Sequence, residues 1–133
     1  MKKSKFGNLM NDKILKEVNK LIEKDSLTRT NIKGVNLYKT STFLPRTPLI
    51  YDFCLVFVLQ GKKIGYLPNK KFEYDSKNYL VVPSTLPFEC ETIASKEEPY
   101  ICMLIDIKKE IMHEIISSLS KEESKKCKGI TYQ

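Results

Sequence analysis

Tyr51-Asp52-Phe53-Cys54-Leu55-Val56-Phe57-Val58-Leu59-Gln60-Gly61 is the stretch whose reading decides the fold. At the period of two that a strand imposes, Phe53, Leu55, Phe57 and Leu59 share one face, and Cys54, Val56 and Val58 share the other. Both faces are apolar until Gln60, so neither can be left to water. Such a strand is covered twice, with one face on a barrel interior and the other against a helix or a second sheet.

Outward from this strand the chain is short-periodic in both directions. Candidate strands are Val35 to Thr40, Tyr51 to Gln60, Lys63 to Leu67, Lys70 to Tyr74, Tyr79 to Val82, Phe88 to Ala94 and Tyr100 to Asp106. Turn residues separate them: Gly61, Pro68-Asn69, Asp75 to Asn78, Pro83 to Pro87 and Lys96 to Pro99. Asp25 to Gly34 reads as a loop. Strands in this number, with no helices between them, argue against a parallel doubly wound sheet and for an antiparallel jelly roll or barrel. Helical spacing is confined to the two ends. Ile14, Leu15, Val18, Leu21 and Ile22 share one helical face between about Asn11 and Lys24, where Asn11 or Asp12 can cap. Ile107, Ile111, Met112, Ile115, Ile116 and Leu119 share another.

The 133 residues suit one domain with one core. No apolar run approaches the roughly 18 residues of a membrane span, and the basic Met1-Lys2-Lys3-Ser4-Lys5 start leads into no signal-peptide core, so a cytoplasmic protein without membrane contact is expected. Cys54, Cys90, Cys102 and Cys127 form no Cys-x-x-Cys pair and read as reduced thiols. The net charge of +7 raises a nucleic-acid reading. Residues 1–24 carry +4 and residues 108–133 carry +2, leaving the middle nearly neutral. The only arginines are Arg29 and Arg46, and no helix-turn-helix pattern follows the strands, so the lysines read as solvated helix faces.

A second layer of pattern lies over the strands. Pro45-Arg46-Thr47-Pro48, Val58-Leu59-Gln60-Gly61, Phe72-Glu73-Tyr74-Asp75, Tyr79-Leu80-Val81-Val82 and Ala94-Ser95-Lys96-Glu97-Glu98-Pro99-Tyr100 follow in order. Together they resemble the N-terminal domain of AraC-type bacterial transcription regulators. The resemblance implies a mainly β fold, a cupin-like double-stranded β-helix (jelly-roll barrel) with an N-terminal helix and a C-terminal amphipathic helix. On that reading residues 1–133 are a single sensor or dimerisation domain, with a helix over about 8–24, the barrel over 35–106 and a helix over 107–120. DNA is then read only by a C-terminal domain of two helix-turn-helix motifs that these residues do not contain. The chain departs from the family pattern at Leu67-Pro68-Asn69 and Pro83-Ser84-Thr85-Leu86-Pro87, so no particular effector carries over.

The implied cupin barrel can be tested against metal chemistry. In metal cupins a glutamate stands seven residues before a motif glycine, and a histidine five residues after a motif proline. Here Gly61 and Pro83 fit the two turns, which places Cys54 and Phe88 in those ligand positions and Thr47 to Ile50 where two histidines would stand. A catalytic divalent site needs about three protein ligands, so no metal, no cofactor and no catalytic residue is expected. The single histidine, His113, falls on the C-terminal helix. Glu89 and Glu91 read as the solvent face of an edge strand whose inward face carries Phe88, Cys90 and Thr92.

The candidate barrel-interior ligand residues are Arg46, Tyr51, Cys54, Val56, Phe88 and Cys90, with Arg46 equally able to act as a structural anchor paired to a carboxylate. An effector cavity and a barrel filled by its own side chains both fit this list. Ile111, Ile115, Ile116 and Leu119 are the candidate interface of a homodimer, with packing of the same helix on its own barrel as the other reading. The expected function is effector sensing, dimerisation or both in a non-catalytic regulator. The alternative is a stand-alone, metal-free cupin that binds a small molecule or acts as an isomerase.

Overall fold

A computed structural model describes residues 5–122, apart from the side chains of residues 5–11, Leu86 and residues 119–122. The elements run α1 (Lys5–Leu21), β1 (Leu27–Arg29), β2 (Val35–Thr40), β3 (Leu44–Tyr51), β4 (Cys54–Gln60), β5 (Lys62–Leu67), β6 (Lys70–Asp75), β7 (Leu80–Val82), β8 (Leu86–Ile93), β9 (Tyr100–Asp106) and α2 (Lys109–Glu122). Pairing is nested: β2 joins β9, β3 joins β8, β4 joins β7 and β5 joins β6, all antiparallel. The strands thus form one long two-stranded ribbon, doubled back at Pro68-Asn69. Winding that ribbon sends alternate strands into two sheets, β1-β2-β9-β4-β7 and β3-β8-β5-β6. The lateral pairs β4 with β9 and β5 with β8 join its successive turns. This connectivity is the jelly roll, or double-stranded β-helix.

The two apolar faces of β4 are covered as their pattern demands. Cys54, Val56 and Val58 face the interior and are buried there with Leu80 and Val82 of β7 and Tyr100 and Cys102 of β9. The opposite face carries Leu59, which packs with Leu37 of β2, Ile101 and Met103 of β9, and Leu15, Val18 and Ile22 of the α1 segment. A helix of this length is marginal in isolation, and each fully buried aliphatic side chain contributes roughly 1.5–3 kcal/mol to docking it. Ile14 and Leu21 share the apolar stripe but remain largely exposed.

Four sequence expectations are corrected. The first helix is already formed at Lys5, so Asn11 and Asp12 lie within it and not at its N-terminus. The expected loop from Asp25 to Gly34 contains β1, paired to β2. Leu44–Tyr51, with Pro45 and Pro48 in it, is a strand of its own, whereas the candidate strands included only Tyr51 of it and joined that residue to the next strand; β3 pairs only with β8, with a register shift between Leu44 and Thr47. On an edge strand a missing backbone N–H can face outward without breaking a ladder. Finally, β8 is no edge: it lies between β3 and β5, although Glu89 and Glu91 do face away from the core.

Gly61 lets β4 run almost directly into β5 while crossing from one sheet to the other. Its φ is +79°, and a Cβ there would lie 2.9 Å from Tyr100 Cα and 3.2 Å from Ile93 O. Both the left-handed backbone and the backbone neighbours exclude a side chain. Gly61→Ala is expected to lower unfolding stability by about 2 kcal/mol or more, read as an earlier urea midpoint. An unchanged midpoint would contradict this account of the turn.

Candidate functional site

Between the two sheets lies a cavity of about 310 Å³. Its walls are Tyr38 of β2, Leu44, Thr47, Pro48, Leu49 and Tyr51 of β3, Lys63 of β5, Cys90 and Thr92 of β8, and Cys102 and Leu104 of β9. Alternation aims the β5, β8 and β9 side chains inward; Lys63, for example, stands opposite both Tyr74 and Thr92. The remaining interior is packed. Phe88 lies against Tyr51 and Phe72, with ring centroids 5.6 and 5.8 Å away, and Phe72 stacks on Tyr74 at 5.9 Å.

A short polar chain crosses the packed part. The hydroxyls of Tyr51 and Tyr74 are 3.0 Å apart, and Tyr74 Oη is 3.5 Å from Cys90 Sγ. Burial pushes the Tyr51, Tyr74 and Tyr100 phenols well above their ordinary range. It also pushes the Cys54 thiol up to about 12, helped by the Asp106 and Asp52 carboxylates. Cys102 is pushed up to about 11 by burial, against the opposing pull of Tyr100 and of the Lys63 charge. All five groups therefore hold their protons at neutral pH. Tyr100 Oη is buried and meets no hydrogen-bond criterion among the described residues, with the Cys102 thiol near enough to influence it.

Lys63 is the charged member of this interior, only 8% exposed. Its Nζ lies 5.3 Å from the Tyr100 ring centroid and 5.7 Å from that of Tyr38. Each such contact contributes about 0.5–2 kcal/mol. No carboxylate pairs with it among the described ion pairs, which involve Lys20, Arg46 and Lys62.

The residues singled out in the sequence divide into three groups. Tyr51 and Cys90 line the cavity, while Cys54, Val56 and Phe88 belong to the packed interior beside it. Arg46 faces the other way. On the outer surface its guanidinium pairs with Glu89 and lies 4.0 Å from the centroid of the Tyr66 ring, and Tyr66 Oη donates to Glu91 over 2.8 Å. Of the two roles open to Arg46, the structure gives it the carboxylate-paired anchor.

Lys63, Tyr38, Thr92 and Cys102 were missed as site residues. The available signal was register: Lys63 and Gly65 share a face of β5, and Phe72 packs over Gly65, where an added Cβ would meet its ring at 2.4 Å. The apolar look of Ile64 and Tyr66 points the other way.

On α2, Met112 is completely buried, Ile115 and Ile116 are half-buried and Ile111 is 47% exposed. The Leu119 side chain and Cys127 lie outside the described residues. His113 is exposed. Among the described residues no group of three or more His, Cys, Asp or Glu side chains is placed to hold a metal ion, and no helix is long and apolar enough to cross a membrane.

An antiparallel jelly roll around a largely apolar cavity is a cupin-type barrel. The chain belongs to the family of the AraC-type transcriptional regulator N-terminus, whose model matches residues 31–133. No curated protein matches the chain. Among solved structures it is similar to a cupin protein from Bacteroides fragilis, at 14% identity over 84% of this chain and 93% of that one, with a TM-score of 0.38. With so distant a likeness, the fold assignment rests on the strand pairing itself.

Two outcomes follow from these environments. Cys54 and Cys102 have raised pKa values in the folded state, against an ordinary 9.0, so the stability they contribute is fully present below about pH 9 and is lost as pH rises toward 11 and 12. The urea midpoint should fall between pH 9 and pH 11, and less steeply in Cys54→Ala. Arg46→Ala, by contrast, removes a half-exposed brace and should cost no more than about 1 kcal/mol in the same measurement.

Proposed function

We propose that these residues form the regulatory input domain of a cytoplasmic AraC-type transcription regulator, which senses a small effector, pairs two copies, or does both, to control a DNA-binding domain C-terminal to it. Membership of the family supports the regulator class. The observation that carries the sensing role is the cavity, because a barrel meant only as a scaffold gains by filling its interior. A route from cavity to surface is available. Cys102 and Leu104 of β9 line the cavity, only Ile107 and Lys108 separate β9 from α2, and Ile107 N–H is anchored to Phe53 O at 3.1 Å. A ligand that shifts β9 would shift the helix bearing Ile111, Ile115 and Ile116.

The domain is proposed to be non-catalytic. An isomerase of this fold needs an internal base, and the buried phenols of Tyr51, Tyr74 and Tyr100 and the thiols of Cys54 and Cys102 are held protonated by their surroundings.

Sedimentation equilibrium is expected to give a homodimer, with Ile111→Glu displaced toward monomer while its melting temperature stays near that of the parent. Fused to a DNA-binding headpiece that represses a reporter only when dimerised, residues 1–133 should restore repression and the variant should not. A monomer at high concentration, together with a fusion that fails to repress, would remove the dimerisation role.

A further inference from the structure

We infer that the cavity takes a small organic monoanion, a carboxylate with an apolar body, and that Lys63 recognises its charge; this rests on reading the barrel as a sensor. Lys63 is more than nine-tenths buried, and its side chain lines the cavity. An ammonium has three N–H donors. The rings of Tyr38 and Tyr100 stabilise the positive charge through their faces but supply no oxygen acceptor. Among the described residues no hydrogen bond or ion pair satisfies Nζ. Lys63 Nζ is not among the buried atoms left without a partner, so the stem is buried and the ammonium reaches the open space of the cavity, where a packing role alone would be met by methionine.

The protein's own acids are not available to it. On this sheet Glu89 and Glu91 are engaged on the outer surface by Arg46 and Tyr66, and Glu73 is paired with Lys62. A carboxylate entering the cavity would supply the counter-charge that no described ion pair provides. The rest of the wall defines its body: Leu44, Leu49 and Leu104 offer apolar surface. One cation suits one negative charge, whereas a dianionic phosphate ester would call for further donors. The volume of about 310 Å³ is at the lower end for small-molecule pockets, so the body is short.

Octanoate, octan-1-ol and octylammonium share a tail and differ in head charge, and calorimetric titration of the 133-residue protein with each tests the inference. Octanoate is expected to bind and to raise the melting temperature, while octylammonium does not bind. Lys63→Met should weaken octanoate about tenfold or more, and Lys63→Arg should retain it. The melting temperatures of the unliganded variants establish that both are folded. Equal binding of octanol or octylammonium, octanoate affinity unchanged by Lys63→Met, or no octanoate binding would each overturn the assignment. The sensing role is read separately: it survives if octanol binds in place of octanoate, and the dimerisation role is judged by the fusion reporter alone.

Discussion

A strand that is apolar on both faces allows few environments, and β4 imposes that constraint on the whole molecule. Its inner face can be dry only if a second sheet closes over it, and its outer face only if a further layer covers the back. The wound ribbon supplies the first cover and α1 the second. The two clusters that result, one around Val56 and one around Val18 and Ile101, are separated by a single strand's thickness. The sequence on either side of β4 is consistent with this: short strands to roll up, and one amphipathic helix to lay across the outside.

Much of that design is legible in the residues because it depends on periodicity. The strands that alternate or are continuously apolar were assigned close to their true limits, and Phe88, Cys90 and Thr92 were placed inward correctly. The misses share a cause. β3 carries Pro45 and Pro48, and β1 is three residues long, so neither shows a local pattern; each is a strand because a partner strand makes it one.

The site was less legible than the fold. Alternation placed Cys90 inward but could not separate cavity wall from filled core, where Cys54, Val56 and Phe88 lie, and Tyr51 reaches the wall from a different strand than the one it was read in. Charge misled in both directions. Arg46 was drawn toward the interior by its place in a conspicuous motif, yet its partners Glu89 and Tyr66 are on the outer surface. Lys63 sat unremarked between Lys62 and Ile64, yet it is the cation that the barrel encloses. A hydropathy pattern records what most residues of a kind do, and a buried lysine is by construction the exception.

The prolines of β3 also bear on how copies of this protein can meet. A sheet edge with free backbone donors and acceptors invites another chain to extend it, and two such sheets can fuse without any evolved interface. Pro45 and Pro48 leave the edge strand of the four-stranded sheet with two fewer backbone donors, and its pairing with β8 shifts register between Leu44 and Thr47. Strand addition is thereby discouraged at the very wall that encloses the cavity, which keeps the open rim of the barrel from being sealed by a neighbouring chain.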